Sequence, residues 1–155
     1  MLASARFYEA DLVSATFHTP KNGKTLNHRG YFISGNGMVG PIMDDQKPTN
    51  DFIENTTSGE QKKTIEYAHP VLIKISAFKE LGGYDERFKG SQYADMDFVY
   101  RAKKAGYRTY MQGSVFIYHH FKENGSTNAV KMKHRADNEK LFRQKHGFGR
   151  RAMRK

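Results

Sequence analysis

Apolar and polar positions alternate along some stretches of the chain and recur at helical spacing along others, and the two periods lay out the elements. Leu2–Ala10 reads as the end of a helix. Leu12–Phe17 reads as a short strand, with Leu12, Ser14 and Thr16 alternating against Val13, Ala15 and Phe17. From His18 to Gln61 the pattern dissolves. Gly23, Gly30, Gly35, Gly37, Gly40 and Gly59 stand there with Pro20, Pro41 and Pro48, which predicts a long loop region over 18–65 with only short strands, such as Gly30–Ser34. After Glu66 the pattern tightens. His69–Ile75 is a compact β-rich run, and Ser76 is placed to cap a helix Ala77–Leu81 that stops at Gly82-Gly83. Tyr84–Ser91 reads as a polar turn region and Tyr93–Ala105 as a helix ended by Gly106. Within that helix Asp95, Val99 and Ala102 share one face, and Asp97, Arg101 and Lys104 share another. Tyr107–Met111 and Val115–His119 read as extended segments interrupted by Gly113. Asn128–Lys145 reads as a closing helix with an apolar stripe through Val130, Ala136, Leu141 and Phe142, followed by a flexible basic end, Gly147–Lys155.

Composition narrows the classes. The 155 residues, 37% hydrophobic and 13% aromatic, suffice for one packed domain or a large piece of one. The absence of cysteine excludes a disulfide framework, a zinc–thiolate site, an iron–sulfur cluster and a thiol nucleophile. No apolar run approaches the roughly 20 residues that span a bilayer, and MLASARFYEADL lacks the layout of a signal peptide, so a cytoplasmic protein is expected. The formal charge of +10 is unevenly placed, because 11 Lys and Arg against 3 acidic residues lie between Lys122 and Lys155. A basic tail over 122–155 points to phosphate-bearing partners, an anionic membrane surface among them, such as the inner face of the membrane. Nucleic acid fits less well, because no nucleic-acid-binding motif accompanies the charge.

Most short motifs have ordinary explanations. Gly35-Asn36-Gly37-Met38-Val39-Gly40 fits the pattern of a dinucleotide cradle, but Pro41 and a polar run follow where a helix is required. Ser76-Ala77-Phe78-Lys79 lacks the companion motifs of acyl-transfer enzymes. Asp44-Asp45 lies in a Gly/Pro-rich stretch and reads as a solvated pair. Asp95 and Asp97, with the later His119-His120, are more informative. A carboxylate in the first turn of a helix is held ionised by the helix N-terminus and suits a general base, and a His at a strand end suits a metal ligand. Against this, an i,i+4 pair with Arg101 alone accounts for Asp97.

Several linked motifs change that weighting. Gly82-Gly83-Tyr84-Asp85-Glu86, Asp95-Met96-Asp97 with Arg101, Ala105-Gly106-Tyr107-Arg108 and Tyr118-His119-His120 follow one another within 66–121. In that order the run resembles the C-terminal, acceptor-side half of inverting GT-A glycosyltransferases of family 2, including the rhamnosyl- and galactofuranosyl-transferase types. The resemblance implies an α/β chain with a partial GT-A fold, like that of nucleotide-diphospho-sugar transferases, its mixed sheet flanked by helices. It implies transfer of a sugar from a nucleotide sugar to an acceptor hydroxyl with inversion. Asp95 falls at the catalytic base, and His119 at a ligand of the divalent cation, Mn or Mg, that neutralises the departing diphosphate. Asp97, Tyr93 and Tyr84 fall on the acceptor side, with Arg101 holding Asp97 in place. The acid that precedes the base in the family is Ala94 here.

The resemblance covers one half of the family's fold, so 1–155 is expected to be a single truncated domain. A glycan acceptor is the expected partner, and a nucleotide sugar only if a donor-binding half is supplied. Little or no activity is expected of the chain alone. An open sheet edge predicts a homo-oligomer. The alternative reading is a non-catalytic glycan- or polymer-binding module on the same half-fold, in which Tyr84, Phe88 and Tyr93 stack on sugar faces.

Overall fold

A computed structural model of the chain describes residues 1–21, 24–33, 39–43, 50–52, 57–58, 63–64, 70–91, 93–118 and 128–148. Its centre is β1 (Leu12–Lys21), which is buried from Leu12 to Thr16. A strand covered on both faces and paired on both edges is apolar or small at successive positions rather than alternating. On one edge β1 runs parallel to β8 (Thr109–Tyr118). On the other edge two antiparallel strands divide its length: β7 (Pro70–Ile73) pairs with Leu12–Ser14, and β2 (Lys24–Ile33) pairs with Phe17–Lys21. β3 (Val39–Met43) extends the sheet beyond β2, and β4 (Asn50–Phe52) closes it beyond β8. A separate pair joins β5 (Thr57–Ser58) to β6 (Lys63–Thr64). The architecture is thus α/β with a mixed sheet and flanking helices, consistent with a partial nucleotide-diphospho-sugar-transferase-like fold.

Each face of the sheet is covered by a helix. On the Leu12 face lies α3 (Ala94–Lys104), whose Phe98, Val99 and Ala102 pack with Leu12 in a buried cluster joined by Tyr31, Ile73, Phe78 and Leu81. On the Val13 face Phe52, Tyr110 and Ala10 are buried, and the partly buried Ala5 of the short helix α1 (Leu2–Phe7) packs against them. A third cluster joins Phe88, Tyr93 and the fully buried Phe142 of α4 (Asn128–His146). Burial of each such Phe is favourable by about 1.5–3 kcal/mol. α3 carries Asp95 and Asp97 in its first turn and Arg101, Lys103 and Lys104 in its last, the charge order its dipole favours. It ends at Gly106, whose φ of +86° suits a residue without a side chain.

Three expectations are corrected. Among the described residues of 18–65 the strands are not all short, since β1 and β2 are 10-residue strands paired in antiparallel register from Phe17↔His28 to Lys21↔Lys24. Ser76 does not cap a helix. The helix α2 runs Ile75–Glu80 with Lys74 at its cap and no side-chain capping bond, because Lys74 N–H donates to Asp11 O (2.8 Å) and fixes the chain before Ser76. Gly113 does not split β8. It sits in a bulge between the pairs Ala15↔Gln112 and Thr16↔Phe116, where Thr16 Oγ1 donates to its carbonyl (3.0 Å) and continuity is kept.

Candidate functional site

The start of α3 is unusual for its backbone. Tyr93, the residue before the helix, has φ +71° and ψ −13°, a left-handed conformation that a bulky side chain rarely adopts. Two features hold it there. Its carbonyl accepts the Asp97 N–H (2.8 Å), and its ring is buried against Phe142 (centroids 5.6 Å apart). The reversal places Asp95 at the second position of the helix, half-buried, with Oδ1 accepting its neighbour's Met96 N–H (2.9 Å).

Two tyrosines from other elements share Asp95's surroundings. Tyr84, in the turn after α2, is 44% exposed and stands edge-on to Phe98 (5.3 Å) and Phe78 (5.5 Å). Tyr31 of β2 packs on the Leu12–Phe98 cluster together with Met96. Burial pushes the Tyr31 phenol up to about 12, the Asp95 charge adding to it and Arg135 opposing. Tyr84 is raised by the same two causes, burial first and Asp95 second. Both hydroxyls therefore stay protonated at neutral pH.

Asp97 faces the other way. Its side chain is completely buried, and three nitrogen groups reach it: Arg101 Nε at Oδ2 (2.8 Å), Lys145 Nζ at Oδ1 (2.8 Å) and His146 Nε2 at Oδ1 (2.9 Å). Burial alone would raise its pKa, but the hydrogen bonds from His146, Lys145 and Arg101 outweigh it and hold the group below its ordinary value. Arg101 also donates to Leu81 O and, at 2.7 Å, to Gly83 O. One guanidinium thus ties α3 to the turn that carries Tyr84. Lys145 Nζ also reaches Asp85 Oδ2 (2.6 Å), whose other partner is Arg87 (Nη2 to Oδ2, 2.6 Å). The Arg87 hydrogen bonds, with help from Lys145 and against burial, hold Asp85 well below the usual carboxylate range.

A second grip lies about two turns back along α4. Buried Asn138 of α4 accepts the Lys89 N–H at Oδ1 (3.0 Å) and donates Nδ2–H to Lys89 O (2.6 Å), so one side chain satisfies both backbone groups. Lys89–Ser91 is a single 3-10 turn, and Gly90 within it has φ +63° with His134 packed where a side chain would begin. The turn from Gly82 to Ser91 and the start of α3 are therefore held by α4.

The structure gathers Asp95, Asp97, Tyr84 and Tyr93 around the start of α3, with Arg101 reaching back to Asp97 from the last turn. Asp95 and Tyr84 reach the surface there, whereas Tyr93 and Asp97 lie beneath it. His119 and His120, Asp44-Asp45 and most of the Gly35–Gly40 motif lie outside the described residues. Among the described residues no group of three or more His, Asp or Glu side chains gathers to hold a metal ion. Sequence reading missed Tyr31, which fell in the short strand expected over Gly30–Ser34 but carried no motif, and Lys145 and His146, which fell in the basic helix and tail. Only the fold brings them to the site.

Comparison with known proteins gives one partial likeness. Over 46 residues the chain is 50% identical to the succinoglycan biosynthesis protein ExoA of Rhizobium meliloti (strain 1021). That stretch is 30% of this chain and 13% of that protein, so the likeness spans a small part of its length. No protein-family model and no solved structure matches the chain.

Proposed function

We propose that the chain is the acceptor side of a glycosyltransferase that inverts the anomeric centre. In this reading an acceptor hydroxyl binds at Asp95 and attacks the anomeric carbon of a nucleotide sugar. The new C–O bond forms as the bond to the diphosphate oxygen breaks, and Asp95 takes the hydroxyl proton while the nucleoside diphosphate leaves. The observation that carries the reading is the unequal treatment of the two aspartates at the start of α3. Asp97 is buried and bonded by Arg101, Lys145 and His146, while Asp95 is only half-buried and its charge acts on the Tyr31 and Tyr84 phenols. One carboxylate anchors the helix from within the core, and the other lies toward the surface at the helix start. The similarity to a succinoglycan biosynthesis protein supports glycan assembly as the setting.

The remaining parts of the reading follow from the sequence resemblance. The donor-binding half lies outside this chain, which alone binds an acceptor and turns over little or nothing. His119 is the proposed ligand of a divalent cation whose chemistry is to neutralise the leaving diphosphate. The test is release of nucleoside diphosphate by the purified chain, given UDP-glucose, UDP-galactose or dTDP-rhamnose with Mn²⁺ and oligosaccharide acceptors. A background rate is expected. Turnover above background that Asp95→Asn abolishes would overturn the half-enzyme reading and keep Asp95 as the base. Turnover indifferent to Asp95→Asn would remove Asp95 as the base.

A further inference from the structure

Tyr31 has no role in the reading above, yet it reaches the site from a different direction than any residue of the motif block. β2 follows β1 only as far as Phe17↔His28, because β7 takes over that edge of β1 from Ser14 to Leu12. Immediately beyond, the register of β2 against β3 shifts between His28 and Gly30. Irregularities of this kind bend a strand and re-aim the side chain that follows. The side chain that follows is Tyr31, which packs on the buried cluster of Leu12, Phe98, Val99 and Ala102, the cluster whose Phe98 ring supports Tyr84. Two tyrosines carried by separate elements thus rest on one apolar base beside Asp95. A phenol offers a flat apolar face and a polar tip, which suits a ligand with C–H faces and hydroxyl edges.

We propose that Tyr31 is a sugar-binding residue of the Asp95 site, forming with Tyr84 the two aromatic walls between which a pyranose ring is held with a hydroxyl on Asp95. The inference rests on the glycosyltransferase reading and adds to it the surface that selects the acceptor. A ring face that contacts a sugar is replaced well by Phe and poorly by Leu, whereas an apolar support for the core is replaced adequately by either. That contrast separates binding from packing.

The experiment is titration of the full chain, with its tyrosine rings ¹³C-labelled, with cellotetraose as the probe. Ring signals are assigned through Tyr31→Phe and Tyr84→Phe, and folding of every variant is checked by its thermal unfolding midpoint. The expected result is that the Tyr31 and Tyr84 signals shift together with one dissociation constant. Tyr31→Leu should bind about tenfold more weakly and Tyr31→Phe within about threefold of the parent, the tenfold step corresponding to about 1.4 kcal/mol. If Tyr84 responds while Tyr31 does not, or if folded Tyr31→Leu binds like the parent, the inference is overturned and the acceptor-side reading stands. If Tyr31→Leu does not fold, the response of the Tyr31 signal in the parent decides. If neither ring responds at any attainable concentration, both the inference and the reading fail.

Discussion

Asp97 and Asp95 are two residues apart and differ in almost everything that decides a carboxylate's role. Asp97 is enclosed by Arg101, Lys145 and His146, and removal of its charge leaves three donors facing a partner that no longer balances them. Loss of one member of a buried ion cluster costs about 3–5 kcal/mol, so Asp97→Asn should lower stability by about 3 kcal/mol or more in urea unfolding. Asp95 is only half-buried, so Asp95→Asn should move the unfolding midpoint less than Asp97→Asn does. The pH dependence has a definite sign. The pKa values of Asp97 and Asp85 are depressed in the folded state, so their contribution is complete above the unfolded carboxylate pKa of about 4 and is lost as pH falls through the lower folded values. Stability should drop steeply on the acid side, and the drop should be shallower in Asp97→Asn. Tyr31 acts in the opposite sense. Its folded pKa is raised from 10.0 to about 12, so its contribution is present below pH 10 and is lost as pH rises toward 12. Burial also pushes the Tyr110 phenol up to about 12, so ultraviolet titration of the folded chain should show one phenol fewer ionising near 12 in Tyr31→Phe than in the parent.

Between residues and fold, the elements differ in how openly the sequence announces them. α3 was legible because its charge order, its apolar spacing and Gly106 all agree, and β7 because Pro70–Ile73 is a compact apolar run. The β1–β2 hairpin was hidden by its glycines and prolines. Yet Asn22-Gly23, between the strands, is a pair typical of two-residue hairpin connections and carries the missed signal. The start of α2 was misplaced because a backbone bond from Lys74 to Asp11, 63 residues away, outranks the local capping preference of Ser76. Asp95 and Tyr84 were legible as motif residues, but Tyr31 was not, since its position depends on which strand takes over an edge of β1. The 3-10 turn gives a sharper test of element-scale contacts. Gly106 has φ +86° and open space around it, so Gly106→Ala should cost only the backbone penalty of about 1–2 kcal/mol. Gly90 has φ +63° and also places a new Cβ 2.9 Å from His134 Nδ1. Gly90→Ala should therefore cost about 1–3 kcal/mol more than Gly106→Ala, the range for overpacking. Combining it with His134→Ala should recover most of that difference, which a double-mutant cycle in urea would measure.

At the scale of the molecule, the basic surplus that begins at Lys122 is divided between two uses. Lys133 and Lys140 are exposed on α4, whereas Lys145 is folded inward onto Asp85 and Asp97. The helix that carries this charge is thus part of the site's frame, through Phe142 in the core, Asn138 on the 3-10 turn, and Lys145 and His146 on Asp97. A chain ended at Thr127 loses all four at once and exposes the Phe88 and Tyr93 rings that Phe142 covers. Loss of a buried Phe alone costs about 3–5 kcal/mol, comparable with the whole stability of many domains at about 5–15 kcal/mol. The truncated chain should therefore lose cooperative unfolding of the 82–104 region, seen as fast amide exchange across α3, while Lys133→Gln with Lys140→Gln leaves that exchange unchanged. Slow exchange of α3 in the truncated chain would show that the sheet alone supports the start of the helix. The contrast also decides how polyanion binding by this chain must be probed, because deleting the helix would remove the site along with the charge. Neutralising Lys133 and Lys140 isolates the charge. Any affinity for an anionic surface should fall in that variant, with a weaker dependence on salt, while Tyr84 and Asp95 stay in place.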